Sequence, residues 1–469
     1  MSGWEYAPAL ESAGAAGLAE SYGIFVGGEF GGGGGGPLHP LNPATEAPLA
    51  EVATADRSDV DSAVAAARAS LRSGWGALPG AERAKYLFRL SRLVQERARE
   101  LAAVETLDGG KPVQDSSGVQ VPAAAAHLFH HAGWADKLDH AGFGADPRPL
   151  GVVAVVLSAD HPLRRLASVV APALAAGNAV VLKPSATTPL AALVFADLCR
   201  QAGLPAGAVN VLPGTGEVGA QLVAHGDVDA VAFAGSTGTG REVQKAAAGK
   251  RLAMELDGTG AHVVYDDAPL DQAVDGVVAG FSGSGGENCS RVLVQEPIAA
   301  EFLAKLRDRV RALRVGDPMD KNTDVGPLCS AERLARAREL ADSAQQAGAT
   351  RWDHPGELPE RGFFAAPAVF PDAQQAMRLA REPIPGPLLP VLTFRTPEEA
   401  VAKANNTPYG HTAAVWADKG SRALWTARQL QAGVVQVNTT HRSDPTAPPE
   451  PRQQSGFGRI AGLEAYLDV

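Results

Sequence analysis

Cysteine is scarce in this sequence, which has three among its 469 residues, at positions 199, 289 and 329. Three cysteines form no disulfide framework, and an odd number favours a reducing compartment. The N-terminal residues also lack a basic stretch followed by an apolar run, so they do not indicate a signal peptide. We therefore expect a cytoplasmic protein.

The chain also lacks an excess of basic residues and a long uninterrupted apolar run. Its net charge of −10 leaves no basic stripe to replace the counterions of a nucleic acid, so we expect no nucleic-acid partner. The longest apolar tract, residues 169–182, is interrupted by Pro172, Gly177 and Asn178, so we expect no membrane span. A hydrophobic content of 45% and a charged content of 20% are typical of a globular protein. The length predicts about two to four domains.

Alternating strands and helices from residue 151 onward predict an α/β fold. Apolar, β-branched runs at residues 152–157, 179–183 and 388–394 indicate buried strands. A strand at 230–233 is followed by a glycine-rich turn at 235–240 that opens a helix, where backbone N–H groups favour phosphate. Together these features indicate a doubly wound nucleotide-binding unit.

Other local patterns predict helices, one loop and a group of histidines. Six consecutive glycines at 31–36 have no side chain to pack and predict a mobile surface loop. His127, His130 and His131 share a predicted helix, and without a nearby cysteine or carboxylate motif we expect packing or surface roles and no metal site. Helices are expected over residues 56–73, 79–106, 123–138, 163–176, 189–202, 299–313, 330–346 and 423–431.

The segment from Glu255 to Cys289 contains the candidate chemistry. A carboxylate and a thiol stand 34 residues apart (289 − 255), each beside glycines. A thiolate attacks a carbonyl carbon, a carboxylate activates the water that later releases the acyl group, and glycine N–H groups approach an oxyanion. Taken alone, a cysteine among apolar residues also suits simple packing, and a glutamate also suits a solvated surface.

Several motifs in the order found here resemble those of the NAD(P)-dependent aldehyde dehydrogenase superfamily, over residues 25 to about 465. Residues 254–256 resemble the family's catalytic glutamate motif, and residues 286–289 its nucleophile loop, at the usual spacing. Residues 233–237 resemble its phosphate turn. The other matching segments are residues 171–178, 181–184, 315–318, 326–328 and 454–459.

The resemblance implies roles for individual residues. Cys289 would be the nucleophile that adds to an aldehyde, and Glu255 the base that activates water to hydrolyse the thioester. Hydride would pass to the nicotinamide of NAD or NADP, the substrate would be a small-molecule aldehyde, and no metal is implied. Cys199 and Cys329 would be structural. The implied cofactor-binding residues are Lys183, Ser185, Gly235, Ser236 and Gly240.

The sequence departs from the family pattern at the oxyanion position, where Asp160 replaces the usual asparagine. A carboxylate repels the developing negative charge, and losing one oxyanion donor costs roughly 3–4 kcal/mol. Asp160 would help only if a raised pKa kept it protonated. A charged His161 would compensate in part, but a surface or packing role is the expected one for this histidine.

Further departures affect the cofactor positions and the nucleophile loop. Ala186 replaces an acidic residue that would bind the ribose 2′-hydroxyl, so NAD and NADP are both compatible with it. The segment that grips the nicotinamide ribose begins with Pro383 where the family has glutamate, and Glu382 stands one position early. Asp257 replaces a glycine after the catalytic glutamate, and about three residues are missing after Cys289.

The resemblance also implies an architecture: a Rossmann-type nucleotide-binding domain, a second α/β catalytic domain and a small β oligomerisation element. The short tail weakens the case for the family's dimer of dimers, so a homodimer or a hetero-oligomer with a related aldehyde dehydrogenase is expected. The predicted divisions are 1–138 and 151–253 for the nucleotide-binding domain, 139–150 for the oligomerisation element, 254–438 for the catalytic domain, and 439–469 for a return to the first domain and a short tail.

Three functions follow from this pattern and its departures. The first is NAD(P)-dependent oxidation of an aldehyde to a carboxylic acid. The second is a catalytically degenerate assembly or regulatory subunit for an active paralogue, because the chain resembles the degenerate second module of the two-module aldehyde dehydrogenases. The third is hydrolysis of an ester or thioester by Cys289 and Glu255 without a nicotinamide.

Overall fold

A computed structural model describes residues 12–144, 146–282, 289–440 and 444–468. From residue 152 onward, strands and helices alternate as the sequence predicts. The strands before residue 257 are β1 (Ser21–Tyr22), β2 (Ile24–Val26), β3 (Glu29–Gly31), β4 (Glu51–Val52), β5 (Arg148–Pro149), β6 (Val152–Leu157), β7 (Ala179–Lys183), β8 (Val209–Val211), β9 (Ala230–Gly235) and β10 (Arg251–Leu256). The helices are α1 (Arg57–Ser73), α2 (Gly80–Glu96), α3 (Ala98–Gly109), α4 (Val113–Asp115), α5 (Val121–Ala132), α6 (Pro162–Ala175), α7 (Leu190–Gln201), α8 (Gly216–Ala224) and α9 (Thr237–Ala246).

The alternation continues after residue 257. The strands there are β11 (Gly260–Val264), β12 (Cys289–Gln295), β13 (Trp352–Asp353), β14 (Ala368–Phe370), β15 (Leu388–Phe394), β16 (Tyr409–Gly410), β17 (Thr412–Trp416), β18 (Val434–Val437), β19 (Arg452–Gln453), β20 (Gly456–Phe457) and β21 (Leu467–Asp468). The helices are α10 (Leu270–Val278), α11 (Ala299–Arg311), α12 (Ala331–Gln346), α13 (Pro397–Asn405) and α14 (Gly420–Gln429).

The first large sheet confirms the predicted doubly wound unit. Its strand order among the described residues is β20-β10-β9-β6-β7-β8-β2-β3, and the five central strands are parallel. Within these five, the chain runs from β6 outward through β7 and β8, then returns to the other side of β6 with β9 and β10. This reversal places a crevice at the carboxyl ends of β6 and β9, the position where α/β sheets bind ligands. All six residues of β6 are buried, as expected for a strand covered on both faces.

A second sheet follows directly, with the order β13-β14-β15-β12-β11-β17-β18 among the described residues. Its pairs are parallel except for the antiparallel pair of β13 with β14. The chain passes from β10 at the carboxyl edge of the first sheet to β11 at the amino edge of the second within three residues, 257–259. The two edges therefore meet beside Glu255.

The glycine segment at residues 31–36 is mostly exposed, as predicted for a surface loop, but its backbone makes specific contacts that its composition did not indicate. Gly34 N donates to Asp59 Oδ2 at 2.8 Å, and Gly35 N donates to Thr54 O at 2.9 Å. A Cβ atom added to Gly33 would lie 2.0 Å from Thr54 O. The absence of side chains thus permits close packing against the start of α1, and the predicted mobility of the segment stays a prediction.

Two predicted helices have different bounds. The helix expected over residues 79–106 is divided at Arg97 into α2 and α3. Helix α2 buries one face, whereas α3 is buried on nearly all sides over residues 101–108. The helix expected over 123–138 ends at Ala132, with Gly133 as its C-cap. On that helix, His127 and His131 are buried and their rings stack at 6.1 Å, which confirms a packing role.

The last strand, β21, pairs in antiparallel fashion with β5, so residues 148–149 and 467–468 form a small separate ribbon. No group of histidine, cysteine and acidic side chains suited to a metal is present in the described parts of the chain. No helix in those parts has the length and apolar character that a membrane crossing requires.

Candidate active site

The candidate site lies at the junction of the two sheets. Cys289 is the first residue of β12, and its backbone pairs with Gly260 at the start of β11. Gly260 is five residues beyond Glu255 (260 − 255). The nucleophile loop at residues 285–288 and the side chain of Cys289 lie outside the described residues. The backbone register alone therefore brings the predicted nucleophile and base to the same junction.

Glu255 is buried near the end of β10 and is bound by two side chains. Its Oε1 atom accepts hydrogen bonds from Arg165 Nη1 at 2.6 Å and from His411 Nε2 at 3.1 Å. Burial alone would raise the pKa of Glu255, but the charge of Arg165 and the hydrogen bond from His411 hold that pKa well below its usual range. An ionised carboxylate held this way accepts a proton from water poorly.

Asp160 lies in the loop after β6 and forms an ion pair with Arg333 on α12. Its two oxygens accept from Arg333 Nη1 at 2.6 Å and Nη2 at 2.7 Å, in a bidentate geometry. Burial works to raise the pKa of Asp160, but the Arg333 guanidinium outweighs this effect and places the pKa well below its usual range. The condition under which Asp160 would help, a protonated carboxyl group, is therefore not met, because the ion pair with Arg333 favours the carboxylate, which has no proton to donate to an oxyanion.

His161 is buried in a position where it does not supply a positive charge to the site. It precedes α6 in a left-handed conformation with a φ of 49° and is buried. Its Nδ1 atom contacts Lys111 Nζ and lies 2.9 Å from Gln120 Oε1. Burial lowers the pKa of His161 well below its usual value, and the charges of Lys111 and Arg164 lower it further. His161 is therefore a packed histidine, the more ordinary of the two roles expected for it, because the neighbouring cations and the loss of solvent both favour the neutral ring.

Lys183 and Ser185 lie at the carboxyl end of β7. The side chain of Lys183 is 6% exposed, and among the described residues no hydrogen-bond acceptor is found for its ammonium group. Burial lowers the pKa of Lys183 to about 8. Ser185 Oγ accepts from Thr187 N at 3.2 Å and so closes the turn after the strand. A buried cation without an acceptor suits a polar ligand group, such as the hydroxyl groups of a ribose.

The glycine-rich turn at residues 235–240 joins β9 to α9. Ser236 caps the helix, with its Oγ accepting from Thr239 N at 3.2 Å. A Cβ atom on Gly240 would lie 2.5 Å from Leu256 Cδ2, so glycine permits α9 to pack against β10. The N–H of Thr237 donates to Asp257 Oδ2 at 2.8 Å.

Glu382 stands one position before the place where a carboxylate is expected to bind the nicotinamide ribose. Its side chain binds residues of the protein instead. Its Oε1 accepts from Arg378 Nε at 2.8 Å, and its Oε2 contacts Arg336 Nη2. The pKa of Glu382 is lowered, chiefly by the hydrogen bond from Arg378. The carboxylate is therefore engaged in a local ion-pair network, and the segment after it contributes Pro383 rather than a second acceptor.

Sequence reasoning missed Arg165, His411 and Arg333, which control the two carboxylates. One signal was present, because Arg164 and Arg165 stand side by side in a predicted buried helix, where unpaired charges are costly. His411 and Arg333 gave no local signal, since each is an ordinary residue near the beginning of an element.

Comparisons with known proteins identify the family to which the fold belongs. A family profile described as "Aldehyde dehydrogenase family" matches residues 33–469. The chain is 38% identical over 438 residues to a mitochondrial aldehyde dehydrogenase from Sus scrofa, covering 89% of this chain and 84% of that protein. It is similar to the NAD+ complex of an aldehyde dehydrogenase from Bacillus cereus, with a TM-score of 0.91, 35% identity, and coverage of 96% of this chain and 95% of that one.

A second solved structure is similarly close. It is an indole-3-acetaldehyde dehydrogenase in complex with NAD+, with a TM-score of 0.92, 36% identity, and coverage of 97% of this chain and 96% of that one. Profile, relative and structures agree over nearly the whole length, and the chain belongs to the aldehyde dehydrogenase family.

Proposed function

We propose that the chain is an NAD(P)-dependent aldehyde dehydrogenase that oxidises a small-molecule aldehyde to a carboxylic acid through Cys289. The observation that carries this proposal is the register of β11 with β12, which pairs Cys289 with Gly260, five residues after Glu255 in the chain. The thiolate of Cys289 adds to the aldehyde carbon to give a thiohemiacetal. Loss of hydride from that adduct leaves a thioester, and water then releases the acid and restores the thiol.

A nicotinamide cofactor fits part of the site. The buried ammonium of Lys183 lacks an acceptor among the described residues, and the turn at 235–240 opens α9 beside the switch point of the first sheet. When bound, the nicotinamide accepts the hydride. Two of the similar structures are NAD+ complexes, which supports the same use here. Ala186 provides no carboxylate against a 2′-phosphate, so both NAD and NADP are proposed.

The two ion pairs are expected to slow two steps of the reaction: formation of the oxyanion near Asp160 and activation of water by Glu255. Asp160 supplies a negative charge where a donor would stabilise the oxyanion, and Arg333 holds it in that state. Glu255 activates water only when its proton affinity rises, which requires release from Arg165 or His411. We therefore propose that acyl-enzyme hydrolysis limits the rate and that the thioester accumulates.

A panel of aliphatic and aromatic aldehydes with NAD+ and with NADP+ tests this function. Formation of reduced nicotinamide is followed by absorbance, with Cys289→Ala as the matched variant. We expect a first turnover that is faster than the steady state that follows it, and no nucleotide reduction by C289A. Absence of reduction with every aldehyde, or equal rates in C289A, would contradict the proposal.

The alternative is a catalytically degenerate subunit that assembles with an active paralogue. The paired carboxylates favour it, because Asp160 and Glu255 are both held in ion pairs by Arg333 and Arg165. Native mass spectrometry of the protein purified from its own cells distinguishes the two: a stable complex with a related chain, without turnover by this chain, supports the subunit. A homodimer that turns over an aldehyde supports the enzyme.

We also propose the domain divisions given by the sequence, in which residues 151–253 form the nucleotide-binding core and 254–438 carry Cys289. A cytoplasmic location stays a prediction, since the relative from Sus scrofa is a mitochondrial protein.

A further inference from the structure

The start of α9 carries a carboxylate of the chain itself. Asp257 follows β10, and β10 lies next to β9, the strand that precedes α9. This neighbouring position lets Asp257 Oδ2 accept the N–H of Thr237 at 2.8 Å. Backbone N–H groups at a helix start are the groups that bind phosphate in nucleotide sites. Here one of them is already bound by an internal anion.

Helix capping does not require Asp257. Ser236 already accepts from Thr239 N and also contacts Thr239 Oγ1 at 3.0 Å, so α9 has its own N-cap. The Asp257 carboxylate is an additional acceptor that is partly buried and brings negative charge to the same turn.

The groups that face Asp257 come from four elements. They are Thr237 on α9, Asp160 after β6, Arg333 on α12 and Tyr409 in β16. Arg333 is bound in bidentate fashion by Asp160, so its charge does not serve Asp257 alone. Burial raises the pKa of Asp257 and the charge of Asp160 adds to this rise, against the opposing effects of the Thr237 N–H and Arg333.

We infer that Asp257 determines the affinity of this chain for dinucleotides, because its carboxylate competes with a ligand diphosphate for the N–H groups that open α9. The inference rests on the proposed function, since it assumes a nucleotide at this turn. Repulsion between the carboxylate and a diphosphate weakens binding while Asp257 is ionised. Protonation removes the repulsion, so binding strengthens as the pH falls.

Calorimetric titration of the full chain with NAD+, ADP and adenosine tests the inference. Asp257→Asn removes the charge and keeps an oxygen that accepts from Thr237. Asp227→Asn, at an exposed position in the turn between α8 and β9, is the control for the same change in net charge. We expect D257N to bind NAD+ and ADP about tenfold more tightly than the wild type, with adenosine binding unchanged and D227N equal to the wild type.

The pH dependence of the wild type is a second measurement. As the pH falls through the raised pKa of Asp257, binding of NAD+ by the wild type should strengthen relative to binding by D257N at the same pH. Among the other groups that face Asp257, Asp160 has a depressed pKa and Tyr409 a raised one, so neither titrates together with Asp257.

The outcomes separate this inference from the proposed function. Equal and measurable binding of NAD+ by wild type and D257N, at every pH, would overturn the inference and leave the dehydrogenase proposal standing. Binding by D257N alone would support the inference. If neither protein binds NAD+ or NADP+ at millimolar concentration, both the inference and the dehydrogenase proposal fail.

Discussion

At the scale of single residues, the partner of a carboxylate decides its chemistry. Glu255 matches a catalytic base by position, yet Arg165 and His411 hold it as an ionised acceptor. Its side chain is 8% exposed and that of Arg165 is 7% exposed, so water does little to screen the pair. A pair this deeply buried costs desolvation energy that is recovered only while both partners are present.

Glu255→Gln is therefore expected to destabilise the protein by about 3–5 kcal/mol, because Arg165 is left charged and without its carboxylate. The double variant R165Q/E255Q should recover most of that loss, since no charge remains buried. Urea unfolding measures the difference. As a control, Glu82→Gln breaks an exposed pair, in which the side chain of Lys85 is 65% exposed and that of Glu82 is 46% exposed. This change should alter stability by less than about 1 kcal/mol. A loss in E255Q no larger than in E82Q would contradict the argument.

Residue types could be predicted better than their partners. The sequence indicated Glu255, Cys289, Asp160 and Lys183, because each stands in a recognisable motif. It did not indicate that Arg333 binds Asp160, since 173 residues separate the two and only the fold brings them together.

At the scale of elements, composition is informative where burial decides the structure. β6, β7 and β15 have the predicted bounds, because a continuous apolar run fits a strand covered on both faces. The glycine segment shows the limit of such reasoning. Its composition indicated that no side chain could pack there. The backbone itself packs closely against neighbouring residues, because the side chains are absent.

The glycine segment also provides an internally matched test. Gly33→Ala places a Cβ atom 2.0 Å from Thr54 O, whereas Gly32→Ala meets nothing within 4 Å. We expect G33A to lower the free energy of unfolding by about 1–3 kcal/mol, as overpacking does, and G32A to leave it unchanged or raise it by a few tenths. Urea or thermal unfolding of both variants is the measurement. Equal stability of G33A and G32A would show that the backbone moves to accept the added methyl group at no cost in free energy, which would contradict the argument.

At the scale of the whole molecule, the site depends on contact between the two large sheets. Residues 257–259 connect the sheets covalently, and the Asp160–Arg333 pair connects the loop after β6 to α12 across the same junction. The pair thus has two roles: it fixes the relation of the two sheets, and it sets the charge at the expected oxyanion position.

The double variant D160N/R333Q separates these roles. The Asp160→Asn change restores an amide donor, and removal of both charges avoids leaving either ion unpaired. We expect steady-state aldehyde oxidation to rise at least about tenfold, within the roughly 3–4 kcal/mol that one oxyanion donor supplies. Hydrogen exchange at residues 158–161 and 330–334 should increase, because the contact between the sheets loses its ion pair. Arg333→Gln alone, which leaves Asp160 charged and exposed to the substrate, should be slower than the wild type. Faster exchange in the double variant without a gain in rate would assign the pair to holding the sheets together and would place the rate limit at Glu255.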